Sequence, residues 1–141
     1  MAIWNQPLTL EKVQNSRQHT MVDHLGIVFV EIGDDYMVAK MPVDHRTIQP
    51  YGIMHGGASC ALAETVASVA ANFCVDSKTK YCVGLEINTS HVKTVSGGFV
   101  KGTAKPFHLG RSTQLWQIEI VDEQGKIVSV SRLRMAVLDR K

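Results

Sequence analysis

Between residues 57 and 74 the apolar positions run round nearly the whole circumference of a helix, through Ala58, Cys60, Ala61, Leu62, Ala63, Val66, Ala67, Val69, Ala70, Ala71 and Phe73. A helix that is apolar all round is a buried one. Spanning Gly57 to Cys74, it is roughly 27 Å long at about 1.5 Å per residue, and its alanine content speaks against a membrane span. On either side of it the pattern changes to the alternation of strands. Ile27 to Ile32 and Tyr36 to Val43 flank the turn residues Gly33-Asp34-Asp35 and read as a hairpin. Asp44 to Met54, carrying Pro50 and Gly52, reads as a loop. Four further strands are predicted at Tyr81 to Val95, Phe99 to Phe107, Arg111 to Asp122 and Lys126 to Leu138, with turns at Gly97-Gly98, Gly110 and Gly125. They are expected to form consecutive antiparallel hairpins. A short helix is predicted over Leu8 to Gln18, capped by Thr9 and carrying Leu10 and Val13 inward.

These elements make an α+β architecture in which an antiparallel sheet of about six strands wraps one long central helix. Trp116, Ile118 and Ile120 fall on one face of their strand and Gln117 and Glu119 on the other, so the face away from the helix is partly polar. Long strand edges invite pairing with a second copy, and a dimer is expected.

Composition narrows the class. The 141 residues suit a single domain over 1–141, and 45% hydrophobic with 20% charged residues is ordinary for a globular chain. The net charge of +2, with basic residues scattered, offers no nucleic-acid footprint. Cys60, Cys74 and Cys82 are odd in number and lack Cys-x-x-Cys spacing, which argues against disulfides and zinc and fits a reducing cytoplasm. The first residues lack the basic-then-apolar pattern of an export signal, and no membrane association is expected.

The chemistry concentrates at Gln49-Pro50-Tyr51-Gly52-Ile53-Met54-His55-Gly56-Gly57, a loop running into the start of the buried helix. Free N–H groups there, at the positive end of the helix dipole, can bind an anion or a developing oxyanion. The glycines serve equally well as a tight turn. His55, taken alone, reads as readily as a core histidine bonded to a carbonyl.

Glu64 lies about two turns into the otherwise apolar helix, where a carboxylate is costly unless paired, neutralised or functional. Ser68 and Asn72 follow at i+4 and i+8 and extend a polar stripe, which otherwise faces solvent or a dimer interface. A carboxylate within reach of a helix-start oxyanion site is the minimum equipment for hydrolytic acyl transfer. No metal-ligand spacing, Gly-x-Ser-x-Gly, Walker loop or dinucleotide fingerprint occurs, so neither metal nor cofactor is expected. Two basic strand ends, around His91-Val92-Lys93-Thr94 and His108-Leu109-Gly110-Arg111-Ser112-Thr113, can gather round one opening or stand as solvated surface charge.

An ordered set of these residues resembles a known family. His55-Gly56-Gly57-Ala58-Ser59 through Ala63-Glu64, Val83-Gly84-Leu85-Glu86-Ile87-Asn88 ending at His91, His108-Leu109-Gly110-Arg111, Met41-Pro42-Val43-Asp44 and Trp116 to Ile120 are similar to the hotdog-fold acyl-CoA thioesterases. The similarity is greatest to the bacterial branch holding 1,4-dihydroxy-2-naphthoyl-CoA hydrolases of menaquinone synthesis and proofreading thioesterases of enterobactin synthesis. The resemblance implies a hotdog fold, dimers that pair into homotetramers, and an active site at the dimer interface. It implies that Glu64 acts as nucleophile or general base, that Gln49, His55 and Gly56 position and polarise the carbonyl, and that Ser68 and His91 line the acyl pocket. Gly57, Gly84, His91 to Thr94 and His108 to Thr113 are implied contacts to substrate. Lys93 departs from the arginine common there, keeping the charge without a bidentate fork. The expected substrate is an aromatic or medium-sized acyl-CoA. A non-catalytic acyl-CoA-binding domain and a hydrolase of carrier-bound acyl groups are the alternatives.

Overall fold

From one strand Gln114, Trp116, Ile118 and Ile120 all point inward and are at most 2% exposed, while Gln117 and Glu119 between them face outward. That alternation is what seats a sheet on a helix. The computed structural model describes every residue except Ser16. Its elements in chain order are α1 (Leu10–Asn15), α2 (Met21–His24), β1 (Val28–Ile32), β2 (Met37–Pro42), α3 (Gly56–Phe73), β3 (Lys80–His91), β4 (Phe99–Leu109), β5 (Thr113–Val121) and β6 (Ile127–Asp139). The six strands form one antiparallel sheet in the order β1-β2-β4-β5-β6-β3, curved round α3.

Helix α3 starts and ends within a residue of the sequence expectation. Leu62, Ala63, Val66, Ala67 and Ala70 have no exposed surface and form the centre of the core with Met37, Met41, Trp116, Leu133 and Met135. Small residues let helix and sheet approach closely: a Cβ at Gly102 would lie 3.3 Å from Leu62 Cγ. The buried Trp116 Nε1–H donates to Gln114 Oε1 at 2.9 Å, so the largest core side chain has no unmet donor.

Two expectations are corrected. β3 and β4 do not form a hairpin; β4 pairs with β2, and β3 pairs with β6 at the far edge of the sheet. The glycines at 97–98 mark where the chain turns, but pairing follows from coverage of the helix. The crossover through α3 carries β3 away from β2, and β4, β5 and β6 fill the gap. The N-terminal helix is also shorter than residues 8–18, of which Ser16 lies outside the described residues; Thr9 Oγ1 does accept from Lys12 N–H at 3.2 Å. The single turn α2 was not anticipated, because four residues carry no helical periodicity.

Candidate functional site

The helix start is assembled from loop hydrogen bonds. Met54 N–H donates to the Val95 carbonyl at 2.7 Å and His55 N–H to the Thr47 carbonyl at 2.8 Å, which carries the chain into α3 at a set angle. His55 is the N-cap: its Nδ1 accepts from Gly57 N–H at 2.8 Å, and its carbonyl takes the N–H groups of Ala58 and Ser59. The Gly57 donor is thus consumed, whereas Gly56 N–H has no partner among the described residues. Gln49 Oε1 accepts from Tyr51 N–H at 2.5 Å, leaving its NH2 without a protein acceptor among the described residues. Gln49, Gly56, His91, Val92, Lys93 and Thr94 line one cavity of ≈ 300 Å³. His91 stands so close that a Cβ on Gly56 would be 3.0 Å from its Nε2.

Lys93 is not free at this cavity. Its ammonium forms an ion pair with Asp122, which is only 7% exposed. The Lys93 hydrogen bond, followed by the Lys126 N–H, holds the Asp122 carboxyl below the usual range.

Glu64 belongs to a second assembly. Its half-buried carboxylate faces an apolar cavity of ≈ 390 Å³ walled by Met21, Val22, Leu25, Ile27, Cys60 and Ala61, and no hydrogen bond or ion pair holds it among the described residues. Residues of α2 supply part of that wall, and no sequence pattern had pointed to them. On the other side the carboxylate abuts Gly84: a Cβ there would lie 2.6 Å from Glu64 Oε1. Ser68 Oγ approaches Met135 Sδ at 3.8 Å, and Met135 is the β6 partner of Gly84. Gly84, expected to touch CoA, therefore first makes room for the carboxylate.

The remaining expected residues are elsewhere. His108, Leu109, Arg111, Ser112 and Thr113 are exposed and Gly110 half-exposed, at the turn held by Gly110 N–H to the Thr113 carbonyl and Val137 N–H to the Ser112 carbonyl, both 2.9 Å. His91 pairs with Ser129 and Thr113 with Ala136, so the two basic strand ends lie roughly 23 Å apart along β6 at about 3.3 Å per residue. Within one chain they do not share an opening, and the Arg111 end stands as exposed surface charge, the other of the two readings. Nor does Glu64 reach its own helix start: Gly56 and Glu64 are separated by roughly 12 Å along the axis at 1.5 Å per residue. A carbonyl spans one bond between the carbon attacked and the oxygen stabilised, so these two groups of one chain do not act on the same thioester.

Among the described residues no cluster of His, Cys, Asp or Glu is placed to hold a metal ion. Among the described residues no helix is long and apolar enough to cross a membrane.

Comparison with known proteins gives a consistent result. The sequence profile of the thioesterase superfamily matches residues 51–129. A proofreading thioesterase of Cronobacter sakazakii is 49% identical over 96% of this chain and 98% of its own length. A 1,4-dihydroxy-2-naphthoyl-CoA hydrolase of Escherichia coli is 49% identical over 96% of this chain and 99% of its own. The crystal structure of a thioesterase from Haemophilus influenzae superposes with a TM-score of 0.94 at 44% identity, covering 97% of this chain and 95% of that one.

Proposed function

The chain belongs to the thioesterase superfamily and is a thioester hydrolase of hotdog fold, and from that premise we propose that it hydrolyses aromatic or medium-sized acyl-CoA thioesters to the free acid and CoA. The observation that carries the reading is the Glu64 carboxylate, unpaired among the described residues at the mouth of an apolar cavity large enough for such an acyl group. The relative named as a 1,4-dihydroxy-2-naphthoyl-CoA hydrolase supports an aromatic acyl group and a place in menaquinone synthesis.

Glu64 takes a proton from the water that attacks the carbonyl carbon, or attacks it directly to give a mixed anhydride that water then hydrolyses; in either route the C–S bond breaks, CoA leaves as the thiolate and takes up a proton, and the acid is freed. Gly56 N–H, without a partner among the described residues and at the positive helix end, stabilises the oxyanion, while the Gln49 NH2 and His55 orient the carbonyl. In the assembled site Ser68, beside Glu64, and His91, beside Gly56 of the other copy, line the acyl pocket. The turn His108 to Thr113, with Gly57 and Val92 to Thr94, meets the CoA portion. Because Gly56 and Glu64 of one chain lie two turns apart, the complete site takes its oxyanion donor from one copy and its carboxylate from another. In this reading residues 1–141 act as one cytoplasmic hotdog domain, in homodimers that pair into a homotetramer.

The test is free-thiol release from a panel of aryl- and alkyl-CoAs by the wild type and by Glu64→Gln. The variant is expected to bind CoA normally and to be inactive. Retention of more than about a tenth of wild-type turnover, a barrier change of only about 1.4 kcal/mol, would remove Glu64 from the chemistry.

A further inference from the structure

Asn72 is the third member of the stripe Glu64, Ser68, Asn72, and its carboxamide is fully engaged. The NH2 donates to the Ser68 carbonyl at 2.9 Å and to the Cys82 carbonyl at 3.1 Å, and Oδ1 accepts from Cys82 N–H at 2.8 Å. Cys82 lies on the edge strand β3, paired on one side with Val137 of β6. The Asn72 amide therefore takes the place of a neighbouring strand, meeting both backbone groups that β3 would otherwise leave bare.

Immediately beyond Gly84 the register of β3 slips, with Gly84 opposite Met135 and Glu86 opposite Arg134, so that Leu85 is bulged out. A bulge interrupts the ladder and leaves the local backbone less constrained. The clamp at Cys82 stands just before this bulge. The stripe consequently meets β3 and β6 at three points in one neighbourhood: Glu64 on Gly84, Ser68 on Met135 and Asn72 on Cys82.

We propose that Asn72 is a positioning residue for the thioesterase reaction, locking β3 to α3 so that the backbone at Gly84 holds the Glu64 carboxylate in its reactive place. The proposal rests on Glu64 being the reacting carboxylate. Asn72 makes no contribution to acyl recognition, since both its donors and its acceptor oxygen are spent on the backbone. Its effect is geometric. A misplacement of about 1 Å in a reacting group can cost on the order of 100-fold in rate.

The experiment compares wild type, Asn72→Leu, Asn72→Asp and Glu64→Gln for kcat, KM, sedimentation and thermal unfolding. Asn72→Leu keeps the bulk and loses all three bonds; its kcat is expected to fall about tenfold with KM within about twofold and the oligomer unchanged. Asn72→Asp keeps the bond from Cys82 N–H but sets a carboxylate oxygen against the Ser68 and Cys82 carbonyls in place of two donated bonds, so its kcat is expected to fall as well. Wild-type kcat in Asn72→Leu, or kcat and KM changing in equal measure, overturns the proposal. Should Asn72→Leu not fold, Asn72→Asp decides: a kcat reduced at least about twofold at unchanged KM supports the clamp, and no change overturns it. Activity in Glu64→Gln removes the underlying reading. An inactive Glu64→Gln beside a fully active Asn72→Leu removes only the positioning role.

Discussion

The carboxylate of Glu64 lies against the α-carbon of Gly84, with Oε1 only 2.6 Å from where a Cβ would stand. Any side chain at residue 84 must displace that carboxylate and little else, since the nearest atom of another residue, Leu133 Cδ1, is at an ordinary contact distance of 3.9 Å. Gly84→Ala is expected to lower kcat by about tenfold or more while the melting temperature changes by a few degrees, because the group displaced is the half-buried end of a side chain rather than backbone. Steady-state kinetics with calorimetry checks this; a proportional loss of folded protein and activity would make Gly84 a purely structural glycine.

Gly56 and His91 form the equivalent contact at the helix start, with a Cβ at residue 56 falling 3.0 Å from His91 Nε2. Gly56→Ala is expected to reduce kcat more than it raises KM, as a lost transition-state contact does. Combining it with His91→Ala relieves the clash, so the double variant should fall short of the sum of the single losses. Strict additivity in the double-mutant cycle would place the cost in the backbone rather than in His91.

Lys93 and Arg111 are expected to behave differently. Arg111 is exposed at its turn, and Arg111→Ala should raise KM for acyl-CoA, more at low salt, and leave an acyl-pantetheine that lacks the nucleotide almost unaffected. Lys93→Ala instead strips the partner from the nearly buried Asp122 and should lower stability. Equal KM effects on both substrates in Arg111→Ala would assign that residue to the fold.

Two-copy assembly of the site is checked by dilution. Specific activity should fall in step with the disappearance of the dimer in sedimentation, because Gly56 N–H and the Glu64 carboxylate of one chain are two helical turns apart. An active monomer would place the whole site within one chain.

Acid should destabilise the protein in a defined window. The Arg46 guanidinium, hydrogen-bonded to Asp44, holds that carboxyl at about 2 against its ordinary 3.8. Asp122 and Asp139 are lowered in the same direction, chiefly by Lys93 and Lys80. Groups lowered on folding contribute stability above their unfolded values and lose it as the pH falls through the folded ones. Denaturation midpoints should therefore drop between pH 3.8 and about 2, and Asp44→Asn should flatten that slope. Salt will mute the Asp44 part, because its ion pair is partly exposed.

Periodicity by itself determined α3, a continuous apolar cylinder, and the inward face of β5, a strict alternation, whereas the single turn α2 left no period to read and β3 stops at His91, short of the expected Val95. Glu64 was equally legible, being a charge where burial forbids one without cause. Pairing was not, since turn glycines state where a chain reverses but not which strand lies beside it, and only the need to cover both flanks of α3 put β3 next to β6. Distances between elements were likewise hidden. That Gly84 rather than CoA meets the Glu64 carboxylate, that Asn72 binds Cys82, that Asp122 engages Lys93, and that the helix start lies too far from Glu64 of the same chain are results of packing. Local sequence sets each residue's dihedral preferences and polarity, whereas these contacts join positions remote in the chain and arise only when the sheet closes on the helix.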